Sequence, residues 1–196
     1  ESRVPGADCN PYLAFAATIA AGLHGIETGA DPGSPYEANA YEAEDVERVP
    51  STLVEVGARE GMLADPTIVA LGEDLGRGGV FGQYRGLAQE FGPDRIIDTP
   101  ISEANIMGSA VGMALAGVRP IVEMRVIDFA LCAMDEIVNQ AAKNRYMFGG
   151  QGRVPLVARM PIGIWSSSAA QHSQSLEAWF VHVPGLVVVA PSNAQD

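Results

Sequence analysis

Basic residues are scarce in this chain. Lys and Arg number 12 against 24 Asp and Glu, a formal net charge of -12 over 196 residues. Non-specific binding to nucleic acid needs a basic face, so the composition excludes that class of partner. Cysteine is nearly absent. The two present, Cys9 and Cys132, stand far apart and neither belongs to a C-x-x-C pair. They read as ordinary thiols of a reducing compartment, not as a disulfide framework, a zinc site or a redox pair. Long apolar runs are also missing. The most apolar helical stretch, residues 14–23, falls short of the roughly 18 residues that span a bilayer, so no membrane is expected. The opening Glu-Ser-Arg-Val is not a signal peptide and lacks an initiator methionine. The expectation is a cytoplasmic chain that is a fragment at both ends.

What is present is core-forming material. Hydrophobic residues make up 47% of the chain and charged residues 18%, which excludes global disorder. Residues 1–54 differ in character from the rest. Asn10 and Pro11 form an N-cap pair for an apolar helix through Leu23. A turn-rich stretch, Thr28 to Tyr36, follows, and then an acidic segment, Glu37 to Glu47, without apolar periodicity. From Ser51 the pattern alternates. Helices are expected at 51–63, 83–91, 103–117, 128–147 and 173–182, and buried strands at 67–71, 95–98, 120–123, 154–158 and 186–190. This predicts an α/β fold, a doubly wound and mostly parallel sheet, with an N-terminal helical or irregular appendage.

Ligands on such sheets bind beyond the carboxyl ends of the strands. The polar residues gather there, at Gly72-Glu-Asp74, Thr99 to Glu103, Met124 to Phe129 and Pro161 to His172. Glu103 follows Asp98-Thr-Pro-Ile-Ser and opens a Gly/Ala-rich helix. Taken singly, an acid there is favoured by the helix dipole. Phe129 taken singly is a core residue, and His172, in a Gly/Ser/Ala loop, is a solvated side chain. Glu73 and Asp74, at a strand end, serve a subunit contact or support the site from behind. Gly76-Arg-Gly-Gly79 superficially suggests a phosphate loop, but it lacks the Walker lysine and a following capped helix.

Several strings together resemble a known family. They are Leu71-Gly-Glu-Asp-Leu-Gly76, Arg95-Ile-Ile-Asp-Thr-Pro-Ile-Ser-Glu103, Gly112-Met-Ala-Leu-Ala-Gly-Val-Arg-Pro120, Met134 to Lys143, Arg145-Tyr-Met-Phe-Gly-Gly150, Ala170-Gln-His-Ser-Gln-Ser175 and Pro184-Gly-Leu186. Residues 55–196 resemble the pyrimidine-binding, transketolase-like domain of the beta subunit of 2-oxo acid dehydrogenases. These enzymes use thiamine diphosphate to act on pyruvate, branched-chain 2-oxo acids or acetoin, and pass the acyl unit to lipoamide. The resemblance implies that Glu103 hydrogen-bonds the cofactor's pyrimidine nitrogen and so promotes loss of the thiazolium proton. It implies that Phe129 packs on the aminopyrimidine and that His172 relays a proton near the reacting carbon, as an imidazole can near neutral pH. No Gly-Asp-Gly with a distant Asn occurs here. The family's Mg2+ and diphosphate would then be held by an alpha subunit. The expected assembly is a hetero-oligomer that also meets a lipoyl-bearing acyltransferase, and the isolated chain is expected to be inactive. It stops before the family's C-terminal domain.

Residues 1–54 resemble the C-terminal part of a glutamine synthetase or a related gamma-glutamyl-amine ligase. The strings are Glu1-Ser-Arg-Val-Pro-Gly-Ala-Asp-Cys-Asn-Pro-Tyr-Leu13 and Ala20-Ala-Gly-Leu-His-Gly-Ile-Glu27. By position Glu1 would ligate a metal and Arg3 would bind substrate or phosphate. The rest of that ligase site is missing, which leaves a ligase remnant, or a non-catalytic assembly module, as the alternative to a decarboxylase half-site. The expected division is 1–54 and 55–196.

Overall fold

The computed structural model describes residues 27–29, 53–164 and 168–191, with the side chains of 53–56 left aside. The chain divides into two compact units, residues 1–49 with 191–196, and residues 50–190. Of the first unit only a helical turn at Glu27–Gly29 and Pro191 are described. The Asn10-capped helix, the acidic segment Glu37 to Glu47, and Glu1 and Arg3 fall outside the described residues.

The larger unit is built on four parallel strands: β1 (Ile68–Gly72), β2 (Ile96–Asp98), β3 (Arg119–Glu123) and β4 (Val157–Arg159), in the order β2-β1-β3-β4. Alternate residues of each strand face opposite sides. Leu71 and Val122 point into a core with Ile106, Met107 and Ala110 of helix α3 (Glu103–Leu115). Ala70 and Ile96 point into a second core with Met62 of α1 (Leu53–Ala64) and Leu87 of α2 (Leu87–Phe91). Both faces of the sheet are therefore covered, as a parallel sheet requires.

α3 begins where Ser102 accepts the Ile106 N–H at 2.9 Å. Its small residues let it lie close to the next segment: a β-carbon on Gly108 would stand 3.6 Å from Glu136 Cγ. That next segment departs from the single helix expected over 128–147. Ile127–Ala133 winds as a 3-10 helix, Asp135–Ala141 as a π-helix and Asn144–Met147 as a short α-helix, α4. In the wide turn the Ala142 N–H reaches back five residues to Ile137 O. Periodicity averaged over tight and wide windings reads as one ordinary helix.

Two further elements differ from expectation. β4 starts at Val157 because Pro155 has no N–H for a ladder and Leu156 turns its own back to Val154 O at 2.9 Å. Residues 186–190 form no strand. Leu186 and Val188 still pack on the core while Val187, 93% exposed, and Val189 face outward. The side-chain alternation is that of a strand, but β4 offers only three residues of edge to pair with. The last helix, α5, is confined to Glu177–Val181.

Arg95 ties the second core together. Its guanidinium donates to the carbonyls of Met62, Asp65 and Ile68 at 2.8 to 3.1 Å and lies 5.2 Å over the Phe91 ring. Arg95→Ala should cost about 2–3 kcal/mol in urea unfolding, because three partly buried carbonyls lose a charged donor. Arg95→Lys should recover less than half, since one ammonium cannot reproduce a planar fork.

Candidate active site

Four strands running the same way deliver their following loops to one edge. β1 delivers Glu73 and Asp74, β2 delivers Thr99 and Glu103, β3 delivers Arg125 to Phe129, and β4 leads through Pro161 to His172. Glu103 is the first residue of α3 and is half-buried. Its carboxylate takes part in no hydrogen bond or ion pair among the described residues. It does act at a distance. The Glu73 carboxyl is pushed up first by burial and then by the negative charge of Glu103, with Arg125 opposing. Glu73, Arg125 and Glu123 share one small cleft with Val80, Phe81 and Gln83.

Phe129 and His172 meet directly. Their ring centroids are 5.1 Å apart with an interplanar angle of 84°, an edge-to-face pair. Phe129 sits in the 3-10 turn after β3, against which α3 packs; His172 ends a second 3-10 turn, Ala170–His172, that packs on the first. The structure thus brings the three site candidates onto mutually packed elements. Two polar atoms on the same edge, Thr99 Oγ1 and Arg125 Nε, are buried without a hydrogen-bond partner among the described residues. Glu1 is outside the described residues, and among those described no three His, Cys, Asp or Glu side chains cluster to hold a metal ion. Cys132 is exposed.

Beneath this edge lies a polar cluster that periodicity does not reveal. Glu123, at the end of β3 and only 4% exposed, accepts from Gln83 Nε2 at 2.9 Å, from the Tyr84 hydroxyl at 3.2 Å and from the Arg159 guanidinium. Burial pushes its carboxyl up, against the pull of Arg159 and the two neutral donors. Burial, then the Glu123 charge, pushes the Tyr84 phenol far up. Gln83 also accepts the Phe81 N–H at 3.0 Å, so one carboxylate secures the loop after β1 and the end of β4. The only available signal was an acid ending an apolar strand.

The glycine-rich Gly76–Gly79 loop has no amides to offer a phosphate. The Gly76 N–H goes to Asp98 Oδ1 at 2.6 Å, those of Arg77 and Gly79 to Asp74 O, and that of Gly78 to Leu75 O. A β-carbon on Gly76 would come within 2.5 Å of Asp98 Oδ2.

This edge can be compared with known proteins. The family model for the transketolase pyrimidine binding domain matches residues 52–196. The chain belongs to that family. The pyruvate dehydrogenase E1 component subunit beta of Rickettsia felis is 50% identical to it over 139 residues, 70% of this chain and 43% of that protein. Mitochondrial subunit beta-2 of the same component in Oryza sativa is 44% identical over 168 residues, 85% of this chain and 43% of that protein. A beta subunit of acetoin:2,6-dichlorophenolindophenol oxidoreductase from Bacillus subtilis is 45% identical over 148 residues, 69% and 43%. The chain therefore spans less than half the length of these relatives. A solved split-gene transketolase, an inactive beta4 tetramer, has a TM-score of 0.50 at 22% identity, over 67% of this chain and 39% of that one, a likeness of fold. A second family model, glutamine synthetase catalytic domain, matches residues 1–75.

The Glu73–Glu103 pair has a measurable consequence for this pyrimidine-binding domain. An acid whose pKa is raised on folding stabilises below its unfolded value, near 4.5, and loses that contribution as pH rises through the folded value. Glu73→Gln removes the loss. Its stability advantage over the parent in urea unfolding should be absent at pH 4 and grow towards pH 7. An advantage independent of pH would show that Glu73 is not held up by burial and Glu103.

Proposed function

We propose that this chain is the beta-subunit half of a thiamine-diphosphate-dependent 2-oxo acid dehydrogenase acting with an alpha subunit. Family membership and the identity to the beta subunits named above support the class. The observation that carries it to this site is Glu103, a half-buried carboxylate without a partner among the described residues, at the head of α3, on the edge where Phe129 and His172 meet.

These residues fit a flat, basic heterocycle. A carboxylate without an internal partner accepts a hydrogen bond from a protonated ring nitrogen, and that charge-assisted bond is the strong kind. Phe129 supplies an aromatic surface for the ring and meets His172 edge to face. Thr99 Oγ1 and Arg125 Nε are polar groups that a ligand would complete. When bound, thiamine diphosphate supplies the nucleophilic carbon and the electron sink for decarboxylation. Glu103 holds the proton-bearing ring nitrogen in register. The imidazole of His172 gives or takes a proton on the substrate side, and the packed apolar floor of α3 excludes water.

The grip on diphosphate and Mg2+ belongs to the alpha partner in this proposal, because the sequence lacks Gly-Asp-Gly with its distant Asn. Acyl transfer to a lipoyl-bearing component and a cytoplasmic setting complete it; the Oryza relative is mitochondrial by name. We assign residues 55–196 to this domain and 1–54 to a glutamine-synthetase-like remnant without ligase activity. The match of residues 1–75 to the glutamine synthetase model supports a remnant of that ancestry.

The test is reconstitution with an alpha subunit of a close relative. Glu103→Gln should lower 2-oxo acid decarboxylation on the order of a hundredfold or more, with an unchanged circular dichroism spectrum and alpha-subunit capture. Turnover close to that of the parent would remove Glu103 from the chemistry. Capture without turnover in the parent, and without cofactor heat in calorimetry, would instead favour an assembly module.

A further inference from the structure

We infer that Asp128 and Gln174 are positioning residues whose hydrogen bond holds His172 against Phe129. This rests on the reading of the site just given. The bond runs from Gln174 Nε2 to Asp128 Oδ1 at 2.7 Å and joins positions 46 apart in sequence. Asp128 immediately precedes Phe129, and Gln174 lies two residues after His172. One bond therefore ties together the two backbones that carry the edge-to-face pair.

The surrounding geometry makes this bond a restraint on a loop. β4 hands the chain to Pro161, whose carbonyl accepts the Ile127 N–H at 2.9 Å. The Gly163 N–H then bonds Gln174 O at 3.0 Å, so residues 163 and 174 form the neck of an excursion that includes His172. Within it the Ser173 hydroxyl and the His172 N–H both turn back to Ala169 O, and Ala169 itself adopts φ 61, a conformation that a non-glycine residue holds only when its surroundings impose it. The neck fixes the separation of Gly163 and Gln174. It does not fix the excursion against the sheet, because Gly163 and Gln174 both belong to it. The side chain of Gln174 makes that connection, and it reaches a carboxylate that is 6% exposed and carried on the 3-10 turn after β3.

The pairing chemistry suits this work. A buried carboxylate is costly unless hydrogen-bonded, and a bond from an amide to a charged acceptor is stronger than a neutral one. The edge contact between Phe129 and His172 is weak by itself. It sets no unique angle unless both rings are held from behind. Asp128 and Gln174 act through the backbones of their neighbours, Phe129 and His172.

The experiment uses the full chain and reads His172 directly. The imidazole protons of His172 are followed by NMR, with Phe129→Leu marking the shift seen when the neighbouring ring current is lost. Limited proteolysis between residues 163 and 174 is followed in parallel. Asp128→Ala and Gln174→Ala should both move the His172 signals towards their Phe129→Leu positions. Both should also accelerate cleavage of the excursion by about tenfold, the weight of one charge-assisted hydrogen bond. Asp128→Asn keeps an acceptor oxygen and should stay within about twofold of the parent on the same scale. Gln174 is exposed, so its truncation tests the tie even if Asp128→Ala unfolds the turn. Parent-like His172 signals in Gln174→Ala would overturn the proposal, as would failure of Asp128→Asn to preserve them. In the reconstituted enzyme Gln174→Ala should lower kcat more than it changes KM. Inertness of Glu103→Gln there would sink the decarboxylase reading while leaving the NMR result to stand or fall alone.

Discussion

A parallel sheet returns every connection to the same starting side, so the residue that follows each strand is delivered to the opposite edge. That constraint lies behind the whole arrangement here. Glu73, Glu103, the Arg125–Phe129 segment and His172 are far apart in sequence, yet each follows a strand or the loop beyond one. Their convergence begins with β1 to β4 keeping their direction and register, which the two cores on either face enforce. The register is tight at the edge itself: Gly72 stands opposite Glu123, and a β-carbon there would meet the Glu123 carbonyl at 2.5 Å.

Glu123 converts that edge from a row of loose loops into a platform. A carboxylate at the end of a central strand would be expensive to bury alone. Gln83, Tyr84 and Arg159 offset the cost, and in doing so they commit the loop after β1 and the end of β4 to fixed positions. Burial still holds the carboxyl up. The cluster is thus a modest source of net stability and a stronger source of uniqueness, since a shift of Arg159 leaves a buried charge uncompensated and a shift of Gln83 or Tyr84 leaves the carboxylate short of a donor.

The fold was legible because its signal is repetitive. Four short apolar segments, separated by helical periods and turn formers, suffice to predict a parallel sheet covered on both faces. The fifth, at 186–190, carries the same side-chain alternation but forms no strand; whether a strand pairs depends on an edge that local sequence does not describe. The winding of residues 127–147 was hidden for a related reason. Tight and wide turns compensate in the apolar pattern, and the backbone hydrogen bonds from Phe129 to Val126 and from Ala142 to Ile137 show the difference. The site divides similarly. Glu103, Phe129 and His172 stand as candidates through the ordered strings around them. Glu123, Gln83, Tyr84 and Arg159 do not, because polar residues that pair across loops leave no period and no spacing.

Two acids, Glu73 and Glu103, share an edge with one opposing cation, Arg125. Like charges at partial burial destabilise a fold, and a chain under pressure for stability alone would replace one of them. Such local costs are characteristic of sites that await a ligand. A protonated heterocycle placed against Glu103 would supply the missing positive partner and relieve Glu73 as well. On that account the acidic edge is not a defect of an isolated half-domain. The fold holds it open because Arg95, Glu123 and the paired cores stabilise the sheet elsewhere, and binding would return part of what the edge costs.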